Sequence, residues 1–198
     1  MANIRQRGRI VRVISGTARG RRLKAPRGIN TRPITDMIKE ALFNVIGYNI
    51  AAASLLDLFA GSGSVGIEAL SRGAYMVVFI DNNVKSIQTI RENLSNCGFK
   101  ENFKIYRNDV FRAIEILNHR QFKFDYIYAD PPFTVQSIFN PFLSAMDKSS
   151  LLTNEGNLII RSPRKMSLTA NLSRLEEYRL DNYGESTLHY YRLNKEVI

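Results

Sequence analysis

A short acidic and proline-rich loop is the feature of this 198-residue chain with the clearest chemical consequence. Asp130-Pro131-Pro132-Phe133 directly follows Tyr126-Ile127-Tyr128-Ala129, an apolar run typical of a buried strand. Proline has no N–H and a fixed φ, so the loop presents hydrogen-bond acceptors in fixed directions. Asp130 and the Pro131 carbonyl suit an N–H donor, and Phe133 suits a flat face. A nucleobase amine meets both demands, whereas the motif alone also fits a plain turn.

A glycine-rich segment follows the first predicted strand of the core. Gly61-Ser62-Gly63-Ser64-Val65-Gly66 has the G-x-G-x-x-G spacing, in which glycines allow a tight turn close to a ligand or serve only for packing. Asp81 ends the next predicted strand, 20 residues after Gly61, where it can accept hydrogen bonds from both hydroxyls of a ribose. This combination predicts an adenosine-containing cofactor, either NAD or S-adenosylmethionine.

Two further acidic positions favour S-adenosylmethionine. Asp57 lies inside the first predicted strand, where burying a carboxylate is costly unless it meets backbone amides or a cationic ligand. A pyrophosphate would be repelled by this charge, whereas the ammonium of a methionine moiety would be attracted. Asn108-Asp109 ends the third strand, where the carboxylate can meet an adenine amine and the Val110 N–H a ring nitrogen. Asp109 alone also fits a helix N-cap.

The four aspartates of these segments end four successive predicted strands. Open α/β sheets bind ligands at the carboxyl ends of their strands, so we expect these side chains to share one edge. Phe59 and Asn82 flank the same strand ends and complete the predicted cofactor set of Asp57, Phe59, Gly61, Gly63, Asp81, Asn82, Asn108, Asp109 and Val110.

Strands and helices alternate through the core and predict a mostly parallel α/β sheet covered on both faces. Residues 9–25 predict a β-hairpin, and Thr35 is expected to cap a helix that ends near Gly47. The C-terminal segments 177–181 and 188–193 predict an antiparallel edge hairpin. We expect a basic N-terminal part, 1–34, and a catalytic domain, 35–198. The predicted core strands are 55–59, 75–80, 103–107, 124–129 and 157–161, and the predicted core helices are 65–72, 84–96, 111–117 and 138–146.

The positive charge of the chain is concentrated at its N-terminus. Ten of the 28 Lys and Arg residues precede the first acidic residue, Asp36, and the 18 that follow equal the 18 acidic residues. An arginine-rich cluster suits phosphate contacts, so it predicts nucleic-acid binding, with solubility or an acidic protein partner as alternatives. The predicted RNA-binding residues are Arg12, Arg19, Arg21, Arg22, Lys24 and Arg32.

Other features of the composition limit the kinds of site and the cellular compartment that we expect. Cys97 is the only cysteine and the chain has two histidines, so neither an intrachain disulfide nor a metal site is expected. No apolar run reaches the length of a membrane helix, and residues 1–14 lack a signal-peptide apolar block. We therefore expect a cytosolic protein without membrane partners.

The motifs together resemble class I S-adenosylmethionine-dependent amino-methyltransferases, in which the DPPF loop marks transfer to an amine nitrogen. More narrowly, nearly the whole chain is similar to the RsmD-type family, which methylates guanine N2 in bacterial 16S ribosomal RNA. The segments that carry the resemblance are 57–63, Asp81, 108–109 and 130–133 for the class, and 16–23, 31–36, 40–44 and 183–184 for the family.

The resemblance implies a Rossmann-like seven-stranded fold and an rRNA (guanine-N2)-methyltransferase. The catalytic residues would be Asp130, Pro131 and Phe133, the cofactor S-adenosylmethionine, and the partner 16S rRNA or a small-subunit assembly particle, bound by a monomer. Alternatives are an adenine-N6 or cytosine-N4 DNA methyltransferase, a NAD-linked oxidoreductase in which the DPPF loop would be idle, and a non-catalytic ribosome-associated RNA-binding protein.

Overall fold

The computed structural model describes residues 11–26 and 34–195. Within this part, β1 (Val11–Arg12) pairs antiparallel with β2 (Arg22–Leu23). The predicted N-terminal hairpin is therefore confirmed where it is described. The predicted RNA-binding residue Arg32 lies outside the described residues.

The helix predicted after the connector is α1 (Asp36–Ile46). The Thr35 hydroxyl accepts a hydrogen bond from the Ile38 N–H at 3.3 Å, as an N-cap does, and Gly47 ends the helix with φ of 65°. Ile38, Leu42 and Phe43 are buried on its inner face.

The core is one seven-stranded sheet with helices between its parallel strands. Its elements are β3 (Ser54–Leu58), α2 (Ser64–Ser71), β4 (Met76–Asp81), α3 (Val84–Asn96), β5 (Phe103–Arg107), α4 (Val110–His119), β6 (Phe124–Ala129), α5 (Phe139–Lys148), β7 (Leu152–Pro163), β8 (Leu175–Tyr183) and β9 (Ser186–Leu193). The strands lie in the order β5-β4-β3-β6-β7-β9-β8; the first five are parallel, and β9 and β8 are antiparallel. This confirms the predicted α/β class and the C-terminal hairpin.

β7 is longer than the predicted strand 157–161. Its first half contains the polar segment 153–155 and Gly156, which interrupt the apolar pattern of a buried strand. The pairing with β6 shifts register between Phe124 and Tyr126, so the strand continues through a bulge that periodicity does not reveal.

Two apolar layers cover the sheet. The hairpin, α1, α2 and α3 pack on one face, and α4, α5 and Met166, Leu168 and Leu172 pack on the other. None of the helices in the described ranges is long and apolar enough to cross a membrane.

The hairpin turn is fixed to α2 by hydrogen bonds. The Ile14 and Ser15 N–H groups donate to the Glu68 carboxylate at 2.7 and 2.9 Å, and the Ala18 N–H donates to the Ser71 hydroxyl at 2.9 Å. Gly16 has φ of 82°, and a Cβ there would lie 1.7 Å from the Ser71 carbonyl oxygen. Only glycine permits this close approach.

A buried ion pair ties the hairpin to two helices. Lys39 Nζ lies 3.4 Å from a Glu68 carboxylate oxygen, with both side chains 0% exposed, and donates to the Arg12 carbonyl and the Ser64 hydroxyl. Burial lowers the pKa of Lys39, and Glu68 opposes that shift. The hairpin thus shares a core with the helix that follows the glycine loop, and the boundary at residue 34 stays a prediction.

Candidate active site

The carboxyl ends of β3 to β6 are joined by backbone hydrogen bonds at one edge of the sheet. The Ala60 N–H donates to the Ile80 carbonyl at 3.0 Å, the Asn108 N–H to the Asp81 carbonyl at 3.1 Å, and the Asp130 N–H to the Leu58 carbonyl at 3.3 Å. The expectation that the acidic motifs share one edge is confirmed. We call the ends of β3, β4 and β5 the cofactor side, and the 130–133 loop with its neighbours on β7 the acceptor side.

Asp57 on β3 is held by an amide of the first turn of α2 on the cofactor side. Its carboxylate accepts a hydrogen bond from the Gly66 N–H at 3.0 Å, and the residue is 2% exposed. Burial raises the pKa of Asp57 well above its ordinary value, and the charges of Asp130 and Asp81 raise it further. A cation at this edge would relieve that cost, and a phosphate would increase it.

Asp81 organises the loops on both sides of it. Its two carboxylate oxygens accept hydrogen bonds from the Gly61 and Asn83 N–H groups, each at 2.8 Å. Burial raises the pKa of Asp81, while the hydrogen bonds from the Asn83 and Gly61 amides oppose the shift. The Ser86 side chain is a third hydrogen-bond partner of this carboxylate, and because a carboxylate has about four acceptor sites, one remains for the predicted ribose contact.

Gly63 and Phe59 give the glycine loop its shape. Gly63 precedes α2 with φ of 73°, and a Cβ there would lie 3.1 Å from the Ile90 side chain. Phe59 follows β3 with φ of 57°, an unfavourable conformation for a residue with a side chain, and its ring contacts Phe142 edge-on. Such strain is typical of functional loops.

The adenine-binding residues predicted at the end of β5 are grouped at the start of α4. The Asp109 carboxylate accepts hydrogen bonds from the Phe111 and Arg112 N–H groups at 3.0 and 3.2 Å, which confirms the N-cap interpretation. Asn108 is half-buried and Val110 is buried. Asn82 is exposed, and its carbonyl accepts a hydrogen bond from Arg107. The contacts of these residues with adenine stay a prediction.

Arg161 dominates the acceptor side, and sequence reasoning missed it. Its Nη1 donates to the Asp130 carboxylate at 2.8 Å, and its guanidinium lies over the Phe133 ring, 4.9 Å from the centroid. The residue ends an apolar run on β7, and a charge at such a position is the signal that was available. Pro131 is buried, and Phe133 is half-buried.

Similarity to known proteins decides the family. The model of the family described as Conserved hypothetical protein 95 matches residues 11–192. YlbH of Bacillus subtilis (strain 168), whose name assigns it provisionally to the rRNA methyltransferases, is 38% identical over 92% of this chain and 98% of its own length. Ribosomal RNA small subunit methyltransferase D of Escherichia coli (strain K12) is 30% identical over 77% and 74%.

This chain belongs to the RsmD family of methyltransferases. The solved structure of the Escherichia coli protein yhhF, also named provisionally as a methyltransferase, covers 93% of this chain and 98% of its own, with a TM-score of 0.77 and 26% identity. A structural neighbour titled SMU.776, complexed with SAH, has a TM-score of 0.67 and 15% identity, over 79% of this chain and 48% of its own. The predicted family, the predicted fold and the prediction of a methyltransferase are confirmed.

The hairpin of this RsmD-family chain displays its basic residues to solvent. Arg19, Arg21 and Arg22 are exposed, whereas Arg12 pairs with Asp36 at 2.8 Å and Lys24 pairs with Glu92 at 2.7 Å. Because exposed ion pairs are weak, all five basic side chains remain available to an anionic partner.

One side chain links that hairpin to the glycine loop. Asn93 Oδ1 accepts a hydrogen bond from the Lys24 N–H at 2.8 Å, and its Nδ2 donates to the Ser62 carbonyl at 2.9 Å. Asn93 therefore couples the position of the basic surface to that of the cofactor side.

Three hydrogen-bonded side chains, Ser162, His189 and Glu177, have the composition of a hydrolase triad. His189 lies 3.0 Å from the Ser162 hydroxyl through Nε2 and 2.6 Å from Glu177 through Nδ1. Ser162 is 0% exposed, so its hydroxyl cannot reach a substrate. The three side chains instead satisfy one another's hydrogen-bonding groups in the protein interior. Among the described residues, no cluster of His, Cys, Asp and Glu is suited to hold a metal ion.

Proposed function

We propose that this protein transfers a methyl group from S-adenosylmethionine to the exocyclic N2 amine of a guanine in 16S rRNA. We further propose that it acts in the cytoplasm as a monomer, on free rRNA or on a small-subunit assembly particle. The observation that carries the proposal is the acceptor-only Asp130 loop beside a buried carboxylate cluster. The names of its relatives support the rRNA substrate.

The residues of the cofactor side fit S-adenosylmethionine, which supplies an electrophilic methyl group on a positively charged sulfonium. Three carboxylates, Asp57, Asp81 and Asp130, lie at this edge, and the pKa of each is raised by burial. Such an environment favours a cationic ligand and disfavours the pyrophosphate of a dinucleotide. Asp57 would attract the ammonium, Asp81 would hold the ribose, and the Asn108-to-Val110 segment would contact adenine.

The acceptor side would prepare the amine for attack. The lone pair of a guanine amine is delocalised into the ring, so the nitrogen is a poor nucleophile. Acceptance of its two hydrogens by Asp130 and the Pro131 carbonyl would draw the nitrogen toward tetrahedral geometry. Positive charge develops on this nitrogen as the methyl group transfers, and the carboxylate stabilises that charge. Either Asp130 or water then takes the proton, while Phe133 stacks on the base.

The side-chain accessibilities agree with these roles. The Asp130 side chain is 23% exposed, so it can reach a substrate, whereas the Arg161 side chain is only 2% exposed. A base that enters this site must leave its stack or come from an already open loop. The exposed arginines of the hairpin would hold the flanking phosphates.

Methyl transfer followed by nucleoside analysis tests the proposal. The full chain and labelled S-adenosylmethionine are incubated with unmodified 16S rRNA, with subunits assembled from that RNA, and with duplex DNA. We expect N2-methylguanosine in one of the two RNA substrates. N6-methyladenine or N4-methylcytosine in DNA would instead identify a DNA methyltransferase, and absence of S-adenosylmethionine binding would identify a non-catalytic RNA-binding protein.

The hairpin's role is tested by point substitutions. Deletion of residues 1–27 would remove Val11, Val13 and Leu23 from the core and leave the buried Glu68 without its amide partners, so it would also perturb folding. Combined Arg19→Gln, Arg21→Gln and Arg22→Gln substitutions avoid this problem. The slope of the logarithm of the RNA-binding constant against the logarithm of salt concentration should become less steep by about 0.7 to 0.9 for each phosphate that the variant no longer neutralises.

The matched control for the hairpin variant is Lys195→Gln, which removes an exposed, ion-paired cation from the opposite end of the chain. This control should retain the salt dependence of the wild type. Equal RNA affinity and salt dependence in the triple variant and the control would contradict the proposed RNA-binding role.

A further inference from the structure

Arg161 lies on β7 and is fixed by contacts with β9 and with the 130–133 loop. It is 1% exposed on β7, its Nε donates to the Ser186 hydroxyl on β9 at 3.1 Å, and its Nη1 donates to Asp130 at 2.8 Å. The strand register pairs Ala129 of β6 with Ile160 of β7, so Asp130 and Arg161 are the next residues of two adjacent strands. The same guanidinium covers the Phe133 ring. One side chain thus touches both the acceptor and the stacking ring of the proposed site.

A buried ion pair of this kind adds little net stability, because desolvation of the two charges offsets their attraction. Its main consequence is therefore the charge and orientation that it gives to Asp130. Two other ionisable groups interact with this pair, Asp57 from β3 and Tyr128 from β6, and Tyr190 from β9 interacts in turn with Tyr128. The hydroxyls of Tyr128 and Tyr190 are buried, and Tyr128 is close enough to Asp130 to lower the pKa of that carboxyl as Arg161 does. Arg161 is consequently the cation of the group.

We propose that Arg161 is a positioning and specificity-determining residue that keeps Asp130 an ionised, acceptor-only carboxylate, and so selects a base whose amine adjoins a ring N–H. This inference rests on the proposed amine methylation at Asp130. It names a residue and a selection rule that the family resemblance does not supply.

The selection rule follows from the edges of the bases. In guanine the N2 amine adjoins the N1–H, so two neighbouring donors face the two oxygens of a carboxylate. In adenine and cytosine the ring nitrogen beside the amine is an acceptor, and it would repel an ionised carboxylate. A protonated Asp130 would instead donate to that nitrogen. Loss of the arginine would therefore reduce the preference for guanine as well as the rate.

The first test compares Arg161→Met, Arg161→Lys and wild type in full pH profiles of methyl transfer. Burial raises the pKa of Asp130 and Arg161 lowers it, so removal of the guanidinium moves the acid limb of the profile to higher pH. We expect kcat of Arg161→Met to fall about 100-fold, the loss typical of a displaced catalytic group, with S-adenosylmethionine affinity within a few fold of wild type. Arg161→Lys should have a kcat and an acid limb between those of Arg161→Met and the wild type.

The matched control is Arg192→Gln. Arg192 is a residue of β9 outside the site, and its Nε lies 2.6 Å from a Glu176 carboxylate oxygen. This variant should retain the rate and the acid limb of the wild type. If Arg161→Met does not fold, Ser186→Ala serves in its place, because it removes only the Nε partner and should give a smaller shift in the same direction. A folded Arg161→Met protein with the wild-type acid limb would overturn the inference.

The second test uses guanine and 2-aminopurine at the methylated position, once mass spectrometry has located it in the RNA. Both bases carry the same amine at C2, but 2-aminopurine has an acceptor at N1. The wild type should prefer guanine, and Arg161→Met should reduce that preference at least tenfold. An unchanged preference would overturn the selection rule, whereas N2-methylguanosine in the wild-type reaction would leave the proposed function intact.

Discussion

The cofactor side and the acceptor side of the sheet edge hold their carboxylates in different ways. On the cofactor side, Asp57 and Asp81 accept hydrogen bonds from the backbone amides of Gly66, Gly61 and Asn83. On the acceptor side, Asp130 pairs with the side chain of Arg161, 31 residues away. Backbone amides fix a loop in one shape, whereas an ion pair also sets the charge of the group that it holds. The first arrangement suits binding, and the second suits chemistry on a bound base.

The largest effect expected on the cofactor side is that of Asp81→Ala. It leaves the Gly61 and Asn83 amides without their acceptor, so the glycine loop loses its anchor. The affinity for S-adenosylmethionine should fall about 100-fold, equivalent to about 2.7 kcal/mol, in a calorimetric titration. The control is Asp36→Ala, which removes a half-buried carboxylate that pairs with Arg12. Affinity of Asp81→Ala within threefold of wild type would mean that the cofactor side does not depend on this anchor.

A smaller effect, confined to the acceptor side, is expected from Phe133→Ala. Stacking of a base on an aromatic ring contributes about 1 to 3 kcal/mol, so kcat/KM for RNA should fall about 5- to 150-fold. Affinity for S-adenosylmethionine should stay within twofold, and Phe133→Tyr, which keeps the ring, should retain activity. Equal losses of cofactor and RNA affinity would show that the two sides are not separable.

The smallest effect concerns stability. Because the pKa of Asp57 is raised in the folded protein, the folded state binds this proton more tightly than the unfolded chain. The contribution of Asp57 to stability therefore falls as pH rises above its ordinary value of 3.8. Asp57→Asn should stabilise the ligand-free protein at neutral pH by about 1 kcal/mol, or about 2 to 4 °C in Tm, while weakening S-adenosylmethionine binding.

The pH dependence of the stabilisation by Asp57→Asn tests whether it arises from the charge of Asp57. Thermal melts of Asp57→Asn and wild type should converge as pH approaches 3.8, where the wild-type carboxyl is increasingly protonated in both states. A constant difference in Tm across pH would mean that packing, not charge, separates the two proteins.

The two sides also differ in how far the sequence predicts them. The cofactor side is built from residues near one another in the chain, so the glycine spacing and Asp81 predicted its layout, and Asp109 proved to be a helix cap. The core helices and parallel strands followed from apolar periodicity. The Asp130–Arg161 pair depends on the alignment of β6 with β7 across a bulge, which no local pattern encodes. The buried Lys39–Glu68 pair was missed for the same reason, because it depends on how distant segments pack.

The central claim is that Asp130 accepts the amine of the target base and takes no essential part in holding the cofactor. Asp130→Ala tests it most directly, with S-adenosylmethionine affinity and single-turnover methyl transfer to 16S rRNA measured on the same preparation. We expect transfer to fall at least about 1,000-fold, as for loss of a group that acts mainly in the transition state, while cofactor affinity changes only a few fold. Equal losses of affinity and transfer, or near-normal transfer, would contradict it.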